Sequence, residues 1–119
     1  MNHNQLVGKF GEKIAEEYLE RKGYKILDRN IKTSYQEIDI IAEKQKRIIF
    51  VEVKTRTSSI HGYADESLDR RKMINLKKAV NYYLINENLY TDEIGVDLVA
   101  VDISKKTKTA KIKHYHDIV

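Results

Sequence analysis

An α/β domain, built as a mixed β-sheet flanked by helices in the order α-β-β-β-α-β-β, is predicted by three features of this 119-residue chain. Apolar residues recur at three- and four-residue steps near the N-terminus and again between residues 67 and 86. Two neighbouring segments, one alternating and one rich in β-branched residues, are joined by a short polar break. Two further apolar segments of strand length follow the second helical pattern.

The first helix is predicted from about Asn4 to Lys22. Val7, Phe10, Gly11, Ile14 and Tyr18 form its apolar stripe. Gly23, after the basic pair Arg21-Lys22, suits the residue just past a helix end. Tyr24 to Leu27 reads as a short strand. Tyr35 to Ala42 alternates, with Ile38, Ile40 and Ala42 on one face and Tyr35, Glu37, Asp39 and Ile41 on the other. Glu43 to Arg47 is a polar connection, and Ile48 to Lys54 reads as a buried strand, so the two make an antiparallel hairpin. Thr55 to Glu66 reads as a loop. Ser67 is expected to cap a second helix that runs to Asn86, with Met73, Leu76, Val80 and Leu84 facing inward. Ile94 to Asp102 and Ala110 to Tyr115 complete the sheet. The length suits one domain over residues 1–119, large enough to bury roughly two-thirds of the unfolded surface.

The chain has no Cys, which excludes disulfides, thiolate catalysis and cysteine-based metal centres. No apolar run approaches the roughly 18 residues of a transmembrane helix. The polar opening Met1-Asn2-His3-Asn4-Gln5 carries no secretory pattern, so a cytoplasmic location and no membrane partner are expected. Lys and Arg number 22 against 18 Asp and Glu, a net charge of +4. That balance permits a polyanionic partner without requiring one.

The hairpin carries the residues with chemistry. With its turn centred between Gln45 and Lys46, Asp39 lies opposite Glu52 and Glu37 opposite Lys54. Residues two apart on a strand share a face, so three carboxylates and one ammonium gather on neighbouring strands. Opposed Cβ atoms would sit ~4.5–5.5 Å apart, and like charges at that spacing are destabilising. Glu52 and Lys54 also interrupt the otherwise apolar run Ile48-Ile49-Phe50-Val51-Glu52-Val53-Lys54, where charges need partners. A hard divalent cation such as Mg²⁺, which takes oxygen ligands, removes the conflict. A slip of the register by two would pair Glu52 with Glu37 instead, and ordinary charges on a solvent face are the alternative to a site.

Four stretches together are identified as those of a known family. They are Gly8-Lys9-Phe10-Gly11-Glu12, Gly23 to Asn30, Glu37-Ile38-Asp39-Ile40-Ile41-Ala42, and Phe50-Val51-Glu52-Val53-Lys54-Thr55-Arg56. They closely resemble the bacterial YraN-like family, and Leu68 to Lys72, Tyr82-Tyr83-Leu84 and Val96-Asp97-Leu98-Val99 fit the same pattern. The resemblance implies a restriction-endonuclease-like fold similar to that of archaeal Holliday junction resolvases. It implies the motif PD-(D/E)-x-K, with Asp39 as its Asp and Glu52-Val53-Lys54 as its E-x-K. It also implicates Glu12, because resolvase-like proteins carry a metal-reaching acid on the first helix. The chain departs from the family at Gln36, where Gly usually precedes Glu-Ile-Asp, and no Pro precedes Asp39.

The resulting expectation is a Mg²⁺- or Mn²⁺-dependent nuclease that hydrolyses nucleic-acid phosphodiesters, with branched DNA in repair or recombination as the implied substrate class. Asp39, Glu52 and Glu12 would bind metal, Lys54 would stabilise the developing charge or orient water, and Glu37 would be an accessory acid. Arg56, Arg70, Arg71 and Lys72 would position phosphates, and Tyr63 would stack on a base or sugar. The alternative is a non-catalytic nucleic-acid-binding or repair-adaptor module on the same fold; a homodimer is left open. Lys77 and Lys78 read as solvated helix surface, and the Lys105 to Lys113 run as a charged turn protecting a sheet edge. His114 and His116 share a strand face, but a zinc site needs a third protein ligand, and none is evident nearby in the sequence.

Overall fold

The computed structural model describes residues 2–57, 70–89 and 93–119. The expected stacking residue Tyr63, in the loop, and the expected cap Ser67 lie outside them. The elements are α1 (His3–Arg21), β1 (Lys25–Ile31), β2 (Ile38–Lys44), β3 (Arg47–Arg56), α2 (Arg70–Asn86), β4 (Ile94–Ser104) and β5 (Thr109–Tyr115). Their order is the one expected, and the five strands form one mixed sheet in the order β1-β2-β3-β4-β5. β3 and β4 run parallel; the other neighbours are antiparallel.

α1 begins at a capping box, in which Asn2 Oδ1 accepts from Gln5 N and Gln5 Oε1 accepts from Asn2 N. It ends as Gly23 predicts. Gly23 takes φ +92°, its N–H donates to Glu20 O, and Tyr24 N donates to Leu19 O. Of the expected stripe, Gly11 is buried and Val7, Ile14 and Tyr18 are partly buried; the fully buried line continues through Ala15 and Leu19, while Phe10 is 56% exposed. Small residues win because α1 lies close against β3, where a Cβ at residue 11 would overlap the Thr55 side chain.

The helices cover the sheet from two sides. Ala15 and Leu19 of α1 pack on Ile40, Ala42, Ile49, Val51, Val53, Val99 and Val101. Leu76, Ala79 and Val80 of α2 pack on Ile38, Ile41, Phe50 and Val96, and Tyr83 meets Phe50 edge-on at 5.7 Å between ring centres. β3 and β4 are covered on both sides and so are mostly apolar on both faces, with Glu52, Asp97 and Asp102 as their buried acids.

Two expectations for β2 are corrected. Tyr35, Gln36 and Glu37 precede the strand. Thr33 Oγ1 accepts from Tyr35 N and Gln36 N, and this local turn competes with strand pairing. The alternation also slips at Asp39, since Ile38 packs under α2 whereas Ile40 and Ala42 pack under α1. Asn30, at the matching level of β1, has φ +52°, a kink that Asn tolerates.

Candidate acidic site at the parting of β2 and β3

As far as Ile40–Val51 the hairpin register is the one read from the sequence, with Lys44 paired to Arg47 and Ala42 to Ile49, but the expected pairs Asp39–Glu52 and Glu37–Lys54 do not form. Gln45 and Lys46 take φ +52° and +66° in the tight turn. Pairing between β2 and β3 stops at Ile40–Val51, while β3 stays paired with β4 as far as Arg56–Asp102. The far half of β3 therefore leaves its β2 side, and the freed Val53 N–H donates to Asp39 Oδ2 at 2.8 Å.

Charged side chains fill that opening. The carboxylate oxygens of Glu12, Glu37 and Asp39 come within 4.8 Å of one another. Asn30 Nδ2 donates to Glu12 Oε1 at 2.8 Å and to Glu37 Oε1 at 3.2 Å, which orients both acids. Glu52 is only 9% exposed and receives a long contact of 3.4 Å from Gln36 Nε2. Glu12 reaches this cluster from α1, as the resemblance implied. The three converging acids include Glu37, which the sequence had placed only in an accessory role, and leave out Glu52.

The electrostatics follow from crowding. Burial, then the charge of Glu52, with smaller pushes from Glu12 and Glu37, raises the Asp39 carboxyl to about 8 against the pull of the Val53 N–H. Burial also raises Glu52, opposed by Lys54, Lys72 and Gln36. Lys54 is held below the ordinary lysine range by its hydrogen bond with Lys72 and by burial, against the carboxylates of Glu52 and Asp39. Four acids and two lysines thus act on one another across α1, β2, β3 and α2. This donor set fits a hard divalent cation, since Glu12, Glu37 and Asp39 offer converging oxygens whose mutual repulsion a cation would relieve.

Open clefts flank Glu12 on both sides. One, of about 230 Å³, is lined by Lys9, Lys13, Arg29 and Asp39; the other, of about 360 Å³, by Val7, Lys54, Thr55 and Arg56. Arg70 and Arg71 are exposed at the start of α2, and Lys72 is partly buried beside Lys54. Lys78 lies over the Tyr35 ring, and Lys77 is exposed. Lys105 to Lys108 form the turn between β4 and the edge strand β5. Among the described residues, no helix is long and apolar enough to cross a membrane.

The acids' partners Asn30 and Gln36 carry no mark in the sequence pattern: Asn30 lies beyond the strand expected to end at Leu27, whereas β1 runs on to Ile31. The expected lack of a third ligand near His114 and His116 is also corrected, because the β4–β5 pairing brings Asp97 beside both.

A mixed sheet with helices on both faces, and an acidic cluster where two central strands part, defines an α/β domain with a candidate cation site. A family model described as "Uncharacterised protein family UPF0102" matches residues 11–101, and the chain belongs to this family. It is similar to a UPF0102 protein of Syntrophomonas wolfei subsp. wolfei, 43% identical over 111 residues, which span 93% of this chain and 95% of that protein. A UPF0102 protein of Flavobacterium psychrophilum is 44% identical over 115 residues, 97% of this chain and 93% of the relative. Among solved structures, that of Pyrococcus furiosus SfsA in complex with Ca²⁺ matches with a TM-score of 0.46 and 18% identity. That match covers 94% of this chain, which spans 63% of the SfsA chain.

Proposed function

We propose that the protein is a metal-dependent nuclease that hydrolyses nucleic-acid phosphodiesters, with branched DNA as the substrate class the family resemblance favours. The observation that carries this reading is the convergence of Glu12, Glu37 and Asp39 beside Glu52 and Lys54. Glu12, Glu37 and Asp39 would hold Mg²⁺ or Mn²⁺, with Glu52 beside them. When bound, the ion would supply charge neutralisation at the phosphate and a more acidic water. Asn30 keeps Glu12 and Glu37 aimed inward, and the Val53 N–H does the same for Asp39. Lys54, with its lowered pKa, donates a hydrogen bond to the phosphate as charge develops or orients the attacking water. Lys72 and Arg56 take phosphate oxygens on either side, and Arg70 and Arg71 extend the basic track along α2.

The test is cleavage of duplex, flap, four-way-junction and single-stranded DNA and RNA with Mg²⁺ or Mn²⁺. Cleavage of at least one substrate is expected, and Lys54→Ala should lower its rate by about 10²-fold or more while binding changes little. Binding by the wild type without any cleavage would instead favour an adaptor module on the same fold. Equal cleavage by Lys54→Ala would remove that lysine from the mechanism.

A further inference from the structure

On the α1 side of the sheet, away from the acidic cluster, Asp97 of β4 is only 2% exposed. Its Oδ2 lies 2.7 Å from His114 Nε2 and 3.3 Å from His116 Nδ1. The ligand atoms of all three residues fall within 4.8 Å of one another. His114 and His116 are two apart along β5 and its continuation, so both rings reach the same side, where they stack with centres 3.9 Å apart.

The atoms behind this trio are held. Tyr18 Oη lies 3.0 Å from His114 Nδ1. Asp97 Oδ1 accepts from Asp117 N at 2.9 Å, and Arg47 Nη2 donates to Asp117 Oδ1 at 2.8 Å. These contacts occupy the far atom of each buried ligand and leave Asp97 Oδ2 facing both His114 Nε2 and His116 Nδ1. Metal-binding histidines commonly pass their second ring N–H to an oxygen, the position Tyr18 fills here.

We propose that Asp97, His114 and His116 form a binding site for a zinc-type divalent cation. Two imidazoles and one carboxylate suit zinc, which takes His nitrogen at roughly 2.0–2.1 Å and Asp oxygen at roughly 2.0–2.2 Å. His116 is 61% exposed, which leaves a side for a fourth, water ligand. The two sites thereby sort cations by chemistry, nitrogen-containing ligands here and all-oxygen ligands at Glu12, Glu37 and Asp39. Coordination through His114 Nε2 requires that nitrogen to be free of a proton; the ring would then carry its proton on Nδ1, 3.0 Å from Tyr18 Oη. The ion would fasten the chain after β5 to β4, where Ile118 N already donates to Val96 O at 2.8 Å. The inference does not rest on the nuclease reading.

The experiment titrates chelator-stripped full-length protein with Zn²⁺ by calorimetry and follows the ¹⁵N resonances of the histidine rings. His116→Ala removes an exposed ligand and leaves the Asp97–His114 pair in place. The Asp39→Asn background separates this site from the acidic one. One equivalent of Zn²⁺ is expected to bind in the Asp39→Asn background, moving the His114 ring resonances to the Nδ1–H form. Adding His116→Ala should weaken that binding by more than about tenfold. Unchanged His114 resonances on Zn²⁺ addition, or equal affinity with and without His116, would reduce the trio to an ion pair that closes the tail, and would overturn the proposal.

Discussion

Asp39 holds two positions at once. Its carboxylate ends the β2–β3 ladder by accepting the Val53 N–H, and it joins Glu12 and Glu37 in the cleft. Its carboxyl titrates near 8 rather than at its ordinary 3.8, so the folded chain holds this proton more tightly than the unfolded chain. Ionisation therefore opposes folding. The stability this proton confers is complete below about pH 4, is lost as pH rises towards 8, and changes no further above that. Asn keeps an acceptor for Val53 N–H but carries no charge. Melting curves in EDTA should show Asp39→Asn gaining stability over the wild type as pH is raised from 4 to 8, with the two closest at the acid end. In the wild type, Mg²⁺ at about ten times Kd should add roughly 1.4 kcal/mol, or ~3–8 °C, at pH 8. Asp39→Asn should lose most of that response. Parallel pH profiles for the two proteins would show that Asp39 is not the strained acid.

Between elements, the contact that fixes the site is the seat of α1 on β3. Gly11 lets the helix backbone meet Thr55, and Glu12 follows immediately, so the depth of the helix sets how far Glu12 reaches towards Asp39. Gly11→Ala adds a methyl where a Cβ would stand 2.6 Å from Thr55 Cγ2. Overpacking of this kind costs about 1–3 kcal/mol, offset in part by up to about 1 kcal/mol of helix propensity. Urea denaturation should show a net loss of about 1 kcal/mol, and Thr55→Ala in the same chain should recover part of it. A Gly11→Ala protein as stable as wild type would mean that the helix can lift off β3 at no cost. If it does lift, Mg²⁺ affinity should fall with it, since Glu12 moves with the helix.

At the scale of the whole molecule, element order and the hairpin register could be read in advance because each is a local pattern. The polar break at Glu43 to Arg47 needed a tight turn, and its centre set every pair back to Ile40–Val51. The kink at Asn30 and the turn held by Thr33 were not legible, since each depends on hydrogen bonds that compete with alternation. Nor was the meeting of Asp97 with His114, which depends on the pairing of two strands and on how far β5 extends. In α1 the expected stripe holds at Gly11, Ile14 and Tyr18 but fails at Phe10 and passes over Ala15 and Leu19, because hydrophobicity favours Phe10 while close packing on a sheet favours small residues such as Gly11.

The parallel neighbours β3 and β4 have a consequence for how the chain acquires its shape. Antiparallel partners close through short turns, whereas this pair waits for α2 to cross between them. Glu12, Asn30, Glu37, Asp39, Glu52 and Lys54 all precede that crossover. The early stretch from α1 to β3 is therefore expected to gather first, within the ~1–10 μs of hairpin formation, and β4 to dock later across the longer loop. In stopped-flow experiments, Ile49→Val in β3 should slow refolding, whereas Ile112→Val at the β5 edge should chiefly speed unfolding. The reverse assignment would place the β4–β5 pair in the nucleus. A nascent chain emerging from the ribosome would thus present its carboxylates in order before the strand that completes the sheet has been made.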